Sequence, residues 1–270
     1  MNHQRKILPI AMLLAGLSGA ALAGPFAPAA GQPGSTAIAK TNPAIVQWAT
    51  GFANYLPGAN VDATWKTPEK ALGIAQGTAT DVVVLGDSGQ ITLTFSGSIF
   101  DGPGADFAVF ENSFSDTFLE LGWVEVSSNG VDYFRFANYS FTPTAIAGFG
   151  SVDPTNIDGL AGKYRQGFGA PFDLSTLAGT AGLDINNVQY VRIVDIIGNG
   201  TQFDSYPANL GGPHPIYDPF PTSGTAGFDL DALGVMHFSA AAQVPEPATY
   251  ALWSLGLLML WAGVKRRASN

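Results

Sequence analysis

The chain has 270 residues, 46% of them hydrophobic and 12% charged, which is enough apolar material for a large domain with its own core. This composition excludes a mainly disordered chain, and the 33 glycines and 18 prolines follow no collagen period. Residues 24–243 carry seven basic and 20 acidic side chains, a net charge of −13 that disfavours nucleic acid as a partner and favours cations. Because cysteine is absent, disulfides, thiol catalysis and Cys-ligated metals are excluded.

The first 23 residues contain the three parts of a secretory signal in order. Arg5 and Lys6 precede an apolar run over 7–22, and small residues end the run at Ala23, just before Gly24. This pattern predicts export and cleavage by signal peptidase between Ala23 and Gly24. An N-terminal membrane anchor is the alternative; it is disfavoured because a span needs about 20 apolar residues and does not usually end in a peptidase-like triplet.

Residues 24–41 are mostly Ala, Gly, Pro and Ser, which predicts a flexible lead. The body that follows, 42–240, contains short runs rich in β-branched and aromatic residues, each bounded by Gly, Asn, Asp or Pro. These runs, which we expect to be strands, cover 81–85, 90–95, 106–110, 123–127, 133–136, 188–197 and 228–238. One short helix is expected over 43–52.

The fold class follows from the spacing within and between these runs. Ile91, Leu93 and Phe95 alternate with threonines, which is typical of an antiparallel strand with one solvent-exposed face. Asn129-Gly130 between two runs predicts a hairpin turn. Crossover helices are missing, so a parallel α/β fold is disfavoured. We therefore predict an all-β body, a single antiparallel β-sandwich of jelly-roll type.

The C-terminus combines a short proline-rich box, an uncharged apolar segment over 248–264 and a basic cluster. The box is Val244, Pro245, Glu246 and Pro247, and the basic cluster is Lys265, Arg266 and Arg267. A helix over 248–264 would be about 25 Å long, enough to cross a thin hydrocarbon core with the basic cluster left in the cytoplasm. We therefore predict one C-terminal transmembrane helix, with the acidic body on the opposite side of the membrane.

Box, span and basic cluster in this order resemble the PEP-CTERM sorting tail, over residues 244–267. The resemblance implies an exosortase-like membrane enzyme that cuts near the box. The precursor would be anchored in the inner membrane with its body in the periplasm, and the product would reach the cell surface or extracellular matrix of a Gram-negative bacterium. The prolines keep the box extended, which lets a protease bind its backbone. A plain C-terminal anchor with a proline-rich linker is the alternative.

Acidic and amide side chains beside glycine-rich turns predict a calcium site in the body. Ca²⁺ takes six to eight oxygen ligands, and loops of this composition can wrap around it. The candidate ligands are Asp101, Asp106, Glu111, Asn112, Asp229 and Asp231. They would meet on one ion if the strand that carries the last two lies beside the loop that carries the first two. The alternative is that these residues only form turns and surface charge.

A second candidate site is the loop over 206–221, where aromatic and polar residues stand among prolines and glycines. Its candidate ligand-binding residues are Tyr206, Asn209, His214, Tyr217 and Asp218. Aromatic rings beside polar side chains are suited to bind sugars. Segments 101–112, 123–136, 156–164 and 227–235 also resemble pieces of galactose-binding-like or carbohydrate-module sandwiches in exported bacterial surface proteins.

Together these observations predict a non-enzymatic, exported surface or matrix protein that binds or organises exopolysaccharide, with calcium as a stabilising ion. The alternative is a secreted polysaccharide-processing enzyme, similar to a glycoside hydrolase, on the same scaffold. Such enzymes need two carboxyl groups, and Glu111, Glu120 and Glu125 all stand near predicted strands. A purely structural matrix component is a third class.

Overall fold

The computed structural model describes residues 23–222, 224 and 227–241. Strands dominate it. They are β1 (Ile38–Ala39), β2 (Gln47–Trp48), β3 (Gly51–Leu56), β4 (Val83–Val84), β5 (Gln90–Ile99), β6 (Phe107–Glu111), β7 (Gly122–Ser127), β8 (Phe134–Arg135), β9 (Tyr139–Ser140), β10 (Ile157–Asp158), β11 (Phe168–Phe172), β12 (Val188–Asp195), β13 (Asn199–Phe203), β14 (Pro215–Tyr217), β15 (Asp229–Val235) and β16 (Phe238–Ala240).

The strands form two six-stranded sheets in which all strand pairs are antiparallel. The first sheet has the order β1-β11-β6-β15-β2, with β4 also on β15. The second has the order β16-β5-β12-β7-β8, with β3 also on β5. Two small ribbons, β9 with β10 and β13 with β14, lie beside them. The predicted all-β, antiparallel class is confirmed.

One hydrophobic core takes side chains from both sheets. Phe107 and Val109 of β6 pack in the same cluster as Leu93 of β5 and Val191 of β12. Phe110, whose side chain points the other way along β6, belongs to a smaller cluster under Trp48. A third cluster holds the entry to β7 against the loops around it. It contains Leu119, Leu121, Trp123, Val152, Ile157, Leu160, Ile196 and Ile216.

Helical structure in the described residues is limited to five short 3₁₀ turns. They cover Ala63–Trp65, Pro68–Ala71, Pro154–Asn156, Leu174–Leu177 and Ala208–Leu210. The helix expected over 43–52 is wrong, because β2 and the start of β3 occupy that segment and pair with β15 and β5. Within 23–222 and 227–241, no helix has the length and apolar character that a membrane span requires. The predicted transmembrane segment, 248–264, lies outside the described residues.

Each of the seven predicted runs contains a strand, although β4 and β8 are only two residues long. The hairpin at Gly130 is also present, since β7 and β8 pair antiparallel across it. Sequence patterns missed β3, β11 and β13 among the longer strands, and also the short strands β1, β2, β9, β10 and β14. β11 contains Gly169 and Pro171, which are unfavourable in strands, and it forms because it lies between β1 and β6.

Residues 24–41, for which composition predicts a flexible lead, make specific contacts with the body. The backbone nitrogen of Phe26 donates to the carbonyl oxygen of Thr155 at 3.0 Å, and the Phe26 ring stacks on Phe141 with a centroid distance of 5.4 Å. Further along, Ala30 is buried and β1 pairs with β11. These contacts use backbone groups and one aromatic ring, so composition alone does not indicate them.

Candidate functional site

The candidate calcium ligands fall into two groups at opposite ends of β6. This strand begins just after Asp106 and ends at Glu111. Its neighbour β15 runs antiparallel, with Leu230 opposite Glu111. Asp229 and Asp231 therefore lie at the Glu111 end, about 15 Å from Asp106 at a rise of about 3.3 Å per residue. The C-terminal end of β15 does lie beside the glycine-rich loop, with Val235 opposite Phe107. Asp229 and Asp231 are at the start of β15 and therefore lie at the other end of β6.

At the first end, ligand oxygens of Asp101, Asp106 and Asp173 lie within 4.8 Å of one another. Asp173 was not predicted from the sequence; it caps the 3₁₀ turn at Leu174–Leu177 by accepting from the backbone nitrogen of Ser175 at 2.9 Å. Oδ1 of Asp101 is buried and accepts no hydrogen bond within the described residues. Three carboxylates at this spacing can hold a divalent cation.

Asp106 is the most constrained member of this group, since its side chain is fully buried. Its Oδ1 accepts from the backbone nitrogen of Gly102 at 2.8 Å and lies 2.6 Å from Nδ1 of His237. Its Oδ2 accepts from the backbone nitrogen of Leu174 at 2.7 Å. Burial raises the pKa of Asp106 above its usual value, and these hydrogen bonds partly offset the rise. Asp106 therefore ties three segments together, and Asp101 and Asp173 have more free oxygen for an ion.

At the second end, two carboxylates carry buried oxygens without partners. Oε1 of Glu111 and Oδ1 of Asp229 accept no hydrogen bond within the described residues. Their other oxygens accept from the backbone nitrogen of Ser113 at 2.7 Å and from Nδ2 of Asn112 at 3.1 Å. Burial raises the pKa of Asp229 to about 8, and it raises the pKa of Glu111 well above its usual value, with the charge of Asp229 adding to the effect. Asp231, by contrast, accepts from two backbone nitrogens at 2.8 and 2.9 Å.

A cleft of about 330 Å³ opens at this second end. Its apolar lining includes Trp65, Phe114, Phe118, Phe149 and Pro221, and its polar lining includes Thr80, Asn112, Glu120, Thr222 and Asp229. Among the described residues that line it, none is basic. The cleft therefore combines aromatic surface with two carboxyl groups that have no basic partner in the lining.

Glu120 is the key acidic residue of the cleft, with only 7% of its surface exposed. Burial raises the pKa of Glu120 well above its usual value, and the nearby carboxylates of Glu111 and Asp229 raise it further. The backbone of Glu120 is held by the loop after β10, where Gly162 has a φ of +82°. A Cβ on Gly162 would lie 1.8 Å from the carbonyl oxygen of Glu120, so only glycine permits this approach.

The aromatic side of the cleft is built by the loop between β6 and β7. Ser113 closes this loop by donating its hydroxyl to the carbonyl oxygens of Ser115 and Phe118. The Phe114 and Phe118 rings stack with a centroid distance of 4.5 Å, and Phe149 lies 6.1 Å from Phe118. Phe114 is 64% exposed and Phe149 is 91% exposed. Phe114 and Phe149 are thus exposed on either side of the half-buried Phe118, and a contiguous apolar patch of this kind is a candidate binding face.

The loop over 206–221 divides its five candidate residues between surface and interior. Tyr206 and His214 lie together, with ring centroids 4.9 Å apart, and Nδ1 of His214 lies 3.1 Å from Oδ2 of the buried Asp204. Asn209 is exposed, and Tyr217 is half-buried on β14. Asp218 is buried and accepts from the backbone nitrogen of Leu121 at 2.8 Å, so it faces the interior.

Of the predicted processing sites, only the signal-peptidase site lies within the described residues. The box at 244–247 and the basic cluster at 265–267 lie outside the described residues. Ala23 and Gly24 are described, and the backbone nitrogen of Gly24 donates to Oγ1 of Thr155 at 2.6 Å.

Comparison with protein-family models and with curated proteins finds no match to this chain. The assignment of the site therefore depends on its own chemistry. The sequence indicated Glu120 only as one of three acids near predicted strands, and it did not connect Glu120 with Trp65. Phe114, Phe118 and Phe149 were missed. A signal was present, because large apolar residues recur in a loop with serine and aspartate neighbours, where core packing does not require them.

Proposed function

We propose that this chain is an exported surface or matrix protein that binds extracellular polysaccharide and does not catalyse a reaction on it. The observation that supports this proposal is the cleft, in which Trp65 and three phenylalanines lie beside Glu120, Asn112 and Asp229. Sugar rings present apolar C–H faces to aromatic side chains and hydroxyl groups to carboxylates and amides. A cleft of this composition is suited to a short stretch of glycan.

Export and sorting belong to the same proposal. Signal peptidase would release residues 24 onward, and an exosortase-like enzyme would process the tail at 244–267 once the apolar segment is in the inner membrane. The acidic body, at a net charge of −13 over 24–243, would then reach the cell surface or the matrix. We also propose that the two sheets form a sandwich of jelly-roll type and that 248–264 forms the transmembrane helix.

Calcium is proposed as a stabilising ion, with Asp101, Asp106 and Asp173 as its ligands. The three carboxylates lie within 4.8 Å of one another, about one strand length away from the cleft. A cation there would neutralise a group of like charges and would link the loop before β6 to the turn after β11. It would support the fold rather than contact the glycan.

The test of polysaccharide binding uses the full-length chain in mild detergent and an array of neutral and charged bacterial glycans. We expect retention on at least one glycan class, with Phe149→Ala and Phe114→Ala each weakening binding about tenfold. Phe203→Ala is the matched control, because Phe203 is 51% exposed on β13 and does not line the cleft. Equal loss in the control and the cleft variants, or no retention on any glycan, would overturn the proposal.

A second candidate function, polysaccharide hydrolysis, is favoured by one observation. Glu120 and Asp229 line the same cleft, and burial raises the pKa of both; in a hydrolase Glu120 would stay protonated and donate to the leaving group, and Asp229 would have to ionise to act as base or nucleophile. Glu120→Gln distinguishes the two functions. A hydrolase would lose release of reducing ends and keep glycan binding, whereas a binding protein would release no product in either form.

A further inference from the structure

The proposed function names polysaccharide as the ligand but not its charge. The buried Glu120 and Asp229 line the cleft, and the buried Glu111 directly precedes the lining residue Asn112. Within the described residues, no lysine, arginine or histidine forms an ion pair with any of them. Lys70 contacts the rim, with its ammonium 5.9 Å from the centroid of the Trp65 ring, and this ammonium is already engaged by the carbonyl oxygen of Thr80 at 2.7 Å and by Asp81 at 3.8 Å.

Buried acids without a partner are costly, and a bound cation would remove that cost. Oδ1 of Asp229 and Oε1 of Glu111 are buried and accept no hydrogen bond within the described residues, and Glu120 is only 7% exposed. The cleft is therefore missing positive charge and hydrogen-bond donors at its acidic side. Its ligand should supply both.

The other side of the cleft indicates which kind of cation fits. Aromatic faces attract ammonium groups, with an effect that grows when water is excluded. Trp65, Phe114, Phe118 and Phe149 provide such faces beside the two carboxyl groups. A hard metal ion would gain nothing from these rings. Moreover, the described residues bring three metal-ligating carboxylates together only at Asp101, Asp106 and Asp173, at the other end of β6.

We infer, on the basis of the proposed function, that the cleft binds a polysaccharide containing amino sugars with free, protonated amines. The ammonium group would lie between Glu120 and Asp229, and the sugar ring would lie against the phenylalanines. The net charge of −13 over residues 24–243 would also attract such a polycation before contact. Acetylation of the amine would remove both the charge and two donors, so the site discriminates against N-acetylated glycans.

Proton linkage gives this inference a second readout. Burial and neighbouring carboxylates raise the pKa of Glu120 and of Glu111, and burial raises the pKa of Asp229 to about 8. An ammonium group beside these acids favours their charged forms, so binding should release protons at about pH 5.5, where the free amine is already protonated and these acids are not yet ionised. Besides these three acids, Asp195 and Asp218 contribute to the field at Glu120, and no basic group opposes it from the cleft lining.

The test compares a glucosamine oligomer, the N-acetylglucosamine oligomer of equal length and a neutral glucose oligomer, by calorimetry on the full-length chain in detergent at pH 5.5. We expect the glucosamine oligomer to bind at least tenfold more tightly than the other two, with proton release visible in buffers of different ionisation enthalpy. Glu120→Gln should remove that preference, so that the variant binds the amine and the N-acetyl oligomers with equal affinity. Asp229→Asn is the second variant, and Glu69→Gln, an exposed acid outside the cleft, is the control.

The outcomes separate this inference from the proposed function. Equal affinity for the amine and the N-acetyl forms would overturn the inference and leave polysaccharide binding intact. An amine preference that survives in both Glu120→Gln and Asp229→Asn would also overturn it, because the preference would then come from general surface charge. Failure to bind any of the three oligomers, with binding of a lysine-rich peptide instead, would overturn both. The thermal midpoint of each variant shows whether it is folded.

Discussion

The backbone nitrogen of Gly24 donates a hydrogen bond of 2.6 Å to Oγ1 of Thr155, which lies 131 positions further along the chain. The Thr155 hydroxyl in turn donates to Oδ1 of Asp153 at 2.7 Å. A Cβ on Gly24 would lie 2.2 Å from the carbonyl oxygen of Thr155, so the contact has no room for a side chain. The residue that signal peptidase is predicted to expose is thus held against the body.

Thr155→Val tests this contact, because it removes the hydroxyl and keeps the shape of the side chain. Two hydrogen bonds are lost, which corresponds to about 1–2 kcal/mol of unfolding free energy. We expect the thermal midpoint of the full-length chain to fall by about 3–6 °C. Thr144→Val is the control, since Thr144 is exposed and has no side-chain hydrogen bond among the described residues. Equal midpoints for the two variants would show that the contact contributes nothing to stability.

Glu125 on β7 offers a second test of stability, on the outer face of the second sheet. Its Oε1 accepts from Nε and Nη2 of Arg135 at 2.9 and 2.8 Å, and its Oε2 accepts from Nε of Arg192 at 2.6 Å. Each guanidinium also stacks at 3.8 Å, on Trp123 and Tyr133 respectively. The Glu125 side chain is 8% exposed, so its charge is largely shielded from water.

Glu125→Gln should therefore destabilise the fold by about 2 kcal/mol, below the 3–5 kcal/mol typical of fully buried pairs because the arginines are partly exposed. The expected result is a decrease of about 4–8 °C in the thermal midpoint. Glu69→Gln, at an exposed position, should change it by less than about 1 °C. If Glu125→Gln lowers the thermal midpoint no more than Glu69→Gln does, the charge of Glu125 contributes nothing to the stability of the fold.

Sequence patterns predicted strands where alternation was visible and failed where only tertiary pairing forms the strand. Ile91 and Leu93 are buried in the core as their spacing predicts. β11, which contains Gly169 and Pro171, is a strand because it pairs with β1 on one side and with β6 on the other. The cleft could not be predicted from the sequence because it also depends on tertiary contacts. Trp65, Glu120 and Phe149 are far apart in sequence, and only the folded chain brings them together.

Calcium should raise the thermal midpoint, and the three acids at the start of β6 should contribute differently. A site saturated at about 100 times its Kd contributes about 2.7 kcal/mol, or about 5–10 °C here, relative to EDTA. Asp101→Asn and Asp173→Asn should abolish this increase and leave the midpoint in EDTA nearly unchanged. Asp106→Asn should lower the midpoint in EDTA as well, because Asp106 accepts three hydrogen bonds in the absence of an ion.

Scanning calorimetry of the full-length chain with and without millimolar calcium measures both effects. The exposed Asp132→Asn serves as the control for general loss of negative charge. If the calcium-dependent increase persists in both Asp101→Asn and Asp173→Asn, the ion binds elsewhere. If calcium leaves the wild-type midpoint unchanged, these acids serve only as turn and capping residues.

Stability should decrease as pH rises from about 4 to 8, the reverse of the usual behaviour of paired carboxylates. Burial raises the pKa of Asp195 to about 7 and that of Asp229 to about 8, whereas unfolded aspartates titrate near 3.9. Between these values the folded state holds protons that the unfolded state has released, so the free energy of unfolding decreases with pH. The stabilisation is complete below about pH 4 and is lost as pH passes 7 to 8.

Asp229→Asn isolates one of these groups. The amide cannot ionise, so the variant should lose less stability than the wild type between pH 5 and 8, by about 1.4 kcal/mol for each unit of raised pKa that lies in this interval. Thermal midpoints at pH 5, 6.5 and 8 in EDTA measure the difference, with Asp132→Asn as an exposed control that should follow the wild type. A wild-type midpoint that rises across this interval, or parallel curves for all three proteins, would contradict the assignment. Parallel curves would mean that Asp229 is ionised in the folded protein and that the cleft carries its negative charge already at pH 5.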